Sequence, residues 1–382
     1  MSKVEKLVNT YNPKGVVFDQ IGHNVISLPK EILKNNYIQK DGDYPVINSG
    51  RDIQGFYNKY NNDGDAFTVA SRGESAGFIQ YSDIKFWAGG LCYPYRAINN
   101  NTVITKYLYY YLKKIEKSIM TNMVMRGGIP AINKKDFEKL IIPLPHIKVQ
   151  EEIVKILDSF TNLIDALNEE LSLRQKQFEY YREKLLTFDD DVEKFIVTEV
   201  AQLKSGLTYK PSDVSDKGIL VLRSSNIKNG FLSYDDNVFV KESTKISDRS
   251  IVRCNDILIC VRNGSKKLVG KCAMIDKNAD GMAFGAFMSV LRAKDINPKY
   301  LFYVWSSQII QDKIKGDDAA PINQITSKDF NRLLIPVPKE QIQKSIVEKL
   351  DAFESLIASL KEEIALRQKQ YEYYREKLLT FD

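Results

Sequence analysis

One stretch of the chain has the residue types of a phosphate-binding loop: GSKKLVGKC, from Gly264 to Cys272. Such a loop cradles phosphates with backbone N–H groups, reaches them with a Lys and holds magnesium through a Ser or Thr hydroxyl. Here five residues separate the glycines where four are required, and Cys272 stands at the hydroxyl position. The stretch reads instead as a basic turn. The only histidines, His23 and His146, have no triad partner, and neither sits in an HExxH pattern. Cys92, Cys254, Cys260 and Cys272 lack CxxC spacing and neighbouring histidines, which points to reduced thiols and to no metal site. Neither NPK, at Asn12 and Asn297, continues into the Asn-Pro-Pro-aromatic box on which an adenine methyltransferase stacks its flipped base. No GxGxxG opens a strand-to-helix unit, and the scattered carboxylates form no nuclease cluster. The expectation is a chain with no catalytic residues and no metal or cofactor of its own.

What remains are loops in which Arg, Lys, Asn, Gln and Ser crowd together with Gly and aromatics. The first half offers Asn48, Ser49, Arg51, Gln54, Tyr57 and Lys59 in NSGRDIQGFYNKYN, and Arg72 in SRGES. The second offers Arg223, Ser224, Ser225, Asn226 and Lys228 in RSSNIKNG, and Arg262, Asn263, Ser265, Lys266 and Lys267 in RNGSKK. Arg and Lys pair with guanine edges or phosphates, Asn and Gln read adenine, and glycine lets a backbone approach closely. These residues are the candidates for DNA contact, although each alone also fits a solvated turn.

The elements that carry these loops come in duplicate. LRQKQFEYYREKLLTFD begins at Leu173, and LRQKQYEYYREKLLTFD begins at Leu366, 193 positions later, with only Phe178 changed to Tyr371. The same offset places KYLYYYL at Lys106 on KYLFYVW at Lys299, IIPLP at Ile141 on LIPVP at Leu334, and Gln150, Ile153, Leu157 and Asp158 on Gln343, Ile346, Leu350 and Asp351. The chain is therefore two tandem halves. Residues 1–146 and 191–338 read as globular, and residues 147–190 and 339–382 as long helices. Net charges of +6, −4, +5 and −1 for 1–146, 147–190, 191–338 and 339–382 put the basic surface on the globular stretches, as a polyanion partner would require.

The helical reading rests on apolar residues spaced alternately by four and three: Ile153, Leu157, Phe160, Ile164, Leu167, Leu171, Phe178, Tyr181, Leu185 and Phe188, and their counterparts from Ile346 to Phe381. That period favours a coiled coil, and the two segments are natural partners, antiparallel if the halves are related by a pseudo-twofold axis. Arg174 and Arg367 interrupt the seam at matching positions, either fixing register through a neighbouring Glu or touching a partner protein. In the globular stretches, FTVASRGESAGFIQYS, GILVLRSS, DILICVRNGS and FMSVLRA read as strands and turns, and KYLYYYLKKIEKSI and KYLFYVWSSQIIQDKI as helices. The fold expected is α+β, with two globular domains separated by two long helices. No signal-peptide core and no run of eighteen apolar residues occurs, so a cytoplasmic protein without a membrane segment is expected.

The order YPVINSG, SRGE, GGIPAINKKDF, IIPLP, long helix, then RSSNI, VRNGS, LLIPVP, long helix resembles the specificity subunit of type I restriction-modification enzymes across the whole chain. The resemblance implies two target-recognition domains that each read one half of a bipartite site in double-stranded DNA. It also implies an antiparallel helical spacer that binds two adenine-methylating modification subunits, with restriction subunits joining for cleavage. S-adenosylmethionine, ATP and magnesium would then sit on those partners. Sixteen of the seventeen positions in the repeated stretch agree, so Gln175, Lys176, Glu179, Arg182, Glu183 and Lys184, with Gln368, Lys369, Glu372, Arg375, Glu376 and Lys377, are expected on an outer face that docks two identical subunits. Two other readings stay open: a stand-alone two-domain DNA-binding protein, and a structural coiled coil.

Overall fold

The computed structural model describes residues 3–189, 191–315 and 324–381; Asp382, the last residue of the second repeated stretch, and Asp190, the end of the first helical segment, lie outside them. The chain forms two units. One is Met1–Glu169 with Glu362–Asp382, and the other is Glu170–Lys361. Each unit therefore holds one globular stretch, the first part of the helix that leaves it, and the last part of the other long helix.

Both units are built on the same sheet plan. In the first, an antiparallel sheet has the order Val25–Ser27, Cys92–Ala97, Ala66–Ala70, Ile79–Ser82. In the second the order is Ala201–Ser205, Met288–Ala293, Ile257–Cys260, Cys272–Met274. Beside each lies a smaller sheet containing one parallel pair, Tyr44–Ile47 with Trp87–Ala88 and Ile219–Leu222 with Ala283–Phe284. Ala66–Ala70 and Ile257–Cys260 are buried along their whole length, so neither shows a polar face in alternation, Thr68 being the single polar residue and buried too. A helix packs against each larger sheet. Thr105–Asn122 runs unbroken, whereas the second copy divides into Pro298–Ser306 and Gln308–Lys315 at Ser307. The single helix expected over KYLFYVWSSQIIQDKI is corrected there: the Ser307 hydroxyl donates to its own helix at Val304 O, 2.6 Å away, and competes with the continuing ladder.

The long helices span Ile147–Leu186 and Glu340–Leu378, each entered through Pro-x-Pro and free of internal Pro and Gly. At 1.5 Å per residue each is about 60 Å long. Within the first unit Phe160 stacks on Tyr374, with ring centroids 5.3 Å apart; within the second Phe353 stacks on Tyr181 at 5.4 Å. Later residues of one helix thus meet earlier residues of the other, an antiparallel pairing, and each contact is the other's counterpart at the 193-residue offset. Arg174 reaches Glu170 (3.4 Å) and Gln177 (3.0 Å), and Arg367 reaches Glu363 (2.8 Å) and Gln370 (2.9 Å). These partners lie on the same helix, so the arginines do not fix register between helices through those bonds.

A repeated polar lock joins each helix to its globular stretch. Buried Gln150 accepts from Ile104 N–H (2.9 Å) and donates to Thr102 O (2.9 Å) and Pro145 O (2.8 Å). Buried Gln343 likewise accepts from Asn297 N–H (2.9 Å) and donates to Pro338 O (2.8 Å). Around it, Tyr107 donates to Pro143 O and Tyr300 to Pro336 O, both at 3.0 Å. Asp158 accepts from Tyr110 and pairs with Lys106 at 2.9 Å, and Asp351 does the same with Tyr303 and Lys299 at 2.7 Å. Buried polar groups are costly unless bonded, so this network sets the angle at which each helix leaves its domain.

The core of the first unit stacks Phe67, Tyr95 and Phe137 and takes in Ile153 and Leu157 of one long helix, Leu378 at the end of the other, and Leu379 just after it. The second stacks Trp305 on Phe330 and takes in Ile346 and Leu350 with Leu186. Cys92, Cys260 and Cys272 are buried thiols and Cys254 is partly exposed; burial pushes Cys92 and Cys272 up to about 12. Among the described residues no helix is long and apolar enough to cross a membrane, and no cluster of His, Cys, Asp and Glu could hold a metal.

Candidate nucleic-acid interface

In each unit three strands end at one corner. In the first, Gly89 N–H donates to Ile47 O (2.8 Å), Leu91 N–H to Asn48 Oδ1 (2.9 Å) and Ser71 N–H to Leu91 O (2.9 Å). That network ties together the segments after Tyr44–Ile47, Ala66–Ala70 and Trp87–Ala88. In the second, Gly285 N–H donates to Leu222 O (2.9 Å), and the N–H groups of Val261 and Arg262 donate to Phe287 O at 3.0 and 3.2 Å. Asn263 Nδ2 donates to Ser224 Oγ at 3.1 Å. The glycines are needed for this closeness: a Cβ on Gly206 would lie 2.0 Å from Gly285 O, and one on Gly89 would lie 2.6 Å from the Asn48 side chain.

The second corner is an open cleft of about 770 Å³ lined by Leu207, Thr208, Tyr209, Arg223, Ser224, Arg262, Asn263, Gly264, Gly285, Ala286, Phe287 and Met288. Among the described residues, two arginines and no carboxylate line it. Arg223 and Arg262 are exposed, and the Arg262 guanidinium lies 5.2 Å from the Phe287 ring centroid. Such a surface attracts a polyanion and presents planar donors beside an apolar ring.

Of the sequence candidates, this arrangement gathers Asn48 and Arg72 in one unit, and Arg223, Ser224, Arg262 and Asn263 in the other. Ser49, Arg51 and Gln54 follow Asn48 on one loop. There Arg51 lies over Phe78 (5.6 Å), and Gln54 accepts from Asn48 and donates to Asn35. Both ends of the Asn48 amide are thus engaged, Nδ2 within the loop by Gln54 and Oδ1 by Leu91 N–H, which makes it a positioning residue. Ser265 donates its backbone N–H to Asn263 Oδ1 (3.0 Å), and Lys266 and Lys267 form the turn that follows.

Five candidates belong elsewhere. Asn226 is fully buried, accepting from Arg223 N–H and donating to Ser233 O, Asp236 O and Asn237 Oδ1, so it ties its own loop and does not meet a base. The Ser225 hydroxyl beside it is buried as well. Lys228 is paired with Asp235 at 2.6 Å. Tyr57 pairs with Tyr44, at the end of the hairpin remote from Asn48, and packs edge-on to Trp87 at 5.2 Å; exposed Lys59 follows it. Sequence reasoning missed Leu91 and Phe287, 42% and 58% exposed at the two corners. Each precedes a strand and looks like part of it, and the 193-residue offset does not relate them.

On the repeated helical stretch, Gln175, Lys176, Glu179 and Lys184 are exposed, as are Gln368, Lys369, Glu372, Glu376 and Lys377. The outer-face expectation is corrected for Arg182, Glu183 and Arg375. Arg182 pairs with Glu183 (2.9 Å) and lies over Phe178, and Glu183 accepts from Gln308 N–H at the start of a helix in its own unit. The Arg375 Nε is buried, and its guanidinium lies over Tyr371. These side chains face the globular part of their own units because Phe178 and Tyr371 pack there: Phe178 meets Tyr303 edge-on at 6.3 Å, and Tyr371 joins the first unit's core. The outer face carries apolar residues in their place. Leu173 and Leu366 are 58% and 54% exposed, and Tyr180 and Tyr373 are 60% and 61% exposed. None of the described residues covers that exposed area.

The model of the type I restriction modification DNA specificity domain family matches residues 25–173 and again 189–366. The chain is similar to the specificity subunit of the Escherichia coli type I restriction enzyme EcoR124I/EcoR124II, 28% identical over 414 residues that cover 100% of this chain and 97% of that one. It is likewise 28% identical, over 418 residues covering 99% and 98%, to a putative type I restriction enzyme specificity subunit of Haemophilus influenzae. Among solved structures, the S subunit of a type I restriction-modification system from M. genitalium superposes with a TM-score of 0.64 at 18% identity, covering 96% of each chain. A chain from a study of complex assembly and conformational transition of the type I R-M system gives 0.56 at 16%, covering 96% of this chain and 98% of that one.

Proposed function

We propose, from the premise that this chain belongs to the type I restriction-modification DNA specificity family, that its two units read the two halves of a split DNA site and that its helices carry the enzymes that act there. The chain supplies recognition and no catalysis. Its long helices set the gap between half-sites and dock two adenine-methylating modification subunits, with restriction subunits joining for cleavage. S-adenosylmethionine, ATP and magnesium belong to those partners.

The observation that carries this reading is the duplicated outer face of the helices. Leu173 with Tyr180 and Leu366 with Tyr373 are the same residue pairs, seven positions apart on a helix and thus on one face, exposed to nearly equal extents in both copies. Exposed apolar surface of that kind marks a protein interface, and two matching copies suit two identical partners. A stand-alone DNA-binding protein has no use for it. The basic corners supply the other half of the reading: duplex DNA is met there by arginines presented from strand ends.

Native mass spectrometry of the chain co-purified with its modification subunit tests this proposal. Two modification subunits per chain are expected, on a chain that binds duplex DNA with sequence preference only as that complex. A chain that binds alone with full preference and recruits no partner would overturn it.

A further inference from the structure

We propose that Phe287 is a specificity-determining residue of the second unit, reading a thymine in its half-site through the 5-methyl group; this rests on the reading above that the corner meets duplex DNA. The residue is 58% exposed on a cleft that holds Arg223 and Arg262 and, among the described residues, no carboxylate. Its backbone is fixed, because the Phe287 carbonyl accepts from both Val261 and Arg262 N–H. The cleft therefore presents the ring from a fixed point of the backbone. Glycines at 264 and 285 keep the surroundings low: a Cβ on Gly264 would meet nothing within 4 Å, and one on Gly285 would make only ordinary contacts from 3.7 Å outward.

Three chemistries could use such a ring: stacking an extruded base, wedging between base pairs, or touching an apolar group on a base edge. The Arg262 guanidinium lies 5.2 Å from the ring centroid and covers one face, so that face is closed to a base. The cleft is open and not a slot, which suits the edge of an intact duplex. In the major groove the only apolar group on a base edge is the thymine methyl, and Phe is among the side chains that contact it. Arg262, held beside the ring, keeps its guanidinium edge for a neighbouring guanine or phosphate.

The test replaces each thymine of the second half-site in turn by deoxyuridine, which removes only the methyl, and measures binding to the full complex of this chain with its modification subunits. For wild type, one substitution is expected to weaken binding about fourfold, the effect of one buried methyl group. In Phe287→Ala the two duplexes should bind alike, whereas Phe287→Leu should keep part of the discrimination. An exposed ring is dispensable for folding, and unchanged thermal unfolding of the variants checks that. Equal binding of thymine and uracil duplexes by wild type, a second half-site without thymine, or discrimination retained by Phe287→Ala would each overturn the assignment. A wild-type complex with no split preference at all would instead overturn the functional reading beneath it.

Discussion

Replacing Gln150 by Met keeps the length and apolar stem of the side chain but removes all three of its hydrogen bonds, to Ile104 N–H, Thr102 O and Pro145 O. At about 1 kcal/mol net per bond, with an orphaned N–H adding to the loss, Gln150→Met should destabilise its unit by about 3 kcal/mol. Gln343→Met removes two such bonds and should destabilise the other unit by about 2 kcal/mol. The chain has its own reporters, since its two tryptophans divide between the units: Trp87 in the first and Trp305 in the second, both buried. Urea unfolding followed by fluorescence in a Trp305→Phe background reads the first unit, and in a Trp87→Phe background the second. With a slope of about 3 kcal/mol per molar urea, the midpoint should fall by about 1 M for Gln150→Met relative to its background. A loss below about 1 kcal/mol, or an equal loss for both substitutions, would refute the argument that these amides are dry and fully bonded locks.

Leu173→Asp with Tyr180→Asp should leave the fold intact, as both side chains are exposed, and reduce the modification subunits bound from two to one by native mass spectrometry. Changing Leu366 and Tyr373 as well should reduce them to none. Arg223→Ala and Arg262→Ala should each lower the slope of log affinity against log salt by about one, measured by titration of the complex with duplex DNA. At pH 8 iodoacetamide should label Cys254 in the native chain and all four thiols after denaturation, since burial raises Cys92, Cys260 and Cys272. A thiol raised in the fold favours the folded state below its unfolded value, so those three contributions should be complete below about pH 9. Between pH 9 and 12 the unfolded chain ionises first, and the urea midpoint should fall through that window.

The large elements were legible in the sequence because their cause is periodic. The four-and-three spacing from Ile153 to Phe188 needs no partner to be seen, and the repeated Gln150 and Gln343 already stood at matching positions. The break at Ser307 was hidden, because serine tolerates a helix until its hydroxyl finds a backbone carbonyl. Exposure was legible where an arginine follows a strand, at Arg72, Arg223 and Arg262, since a charged side chain at a strand end has little choice but solvent. Site reasoning failed where direction decides. Asn226 looks like a base reader and is a buried loop tie, and Arg182 and Arg375 look like surface charge but fold back over Phe178 and Tyr371. The converse error hid Leu173, Tyr180 and Phe287: apolar types are assigned to a core by default, and only the placed backbone shows that their faces are uncovered.

The most direct test of a split-site reader is to co-express this chain with its modification subunit and map methylated adenines across the host genome by sequencing that detects the modified base. Two short specified half-sites separated by an unspecified gap of fixed length are the predicted result. A single continuous motif, or unmethylated DNA despite an assembled complex, would contradict it.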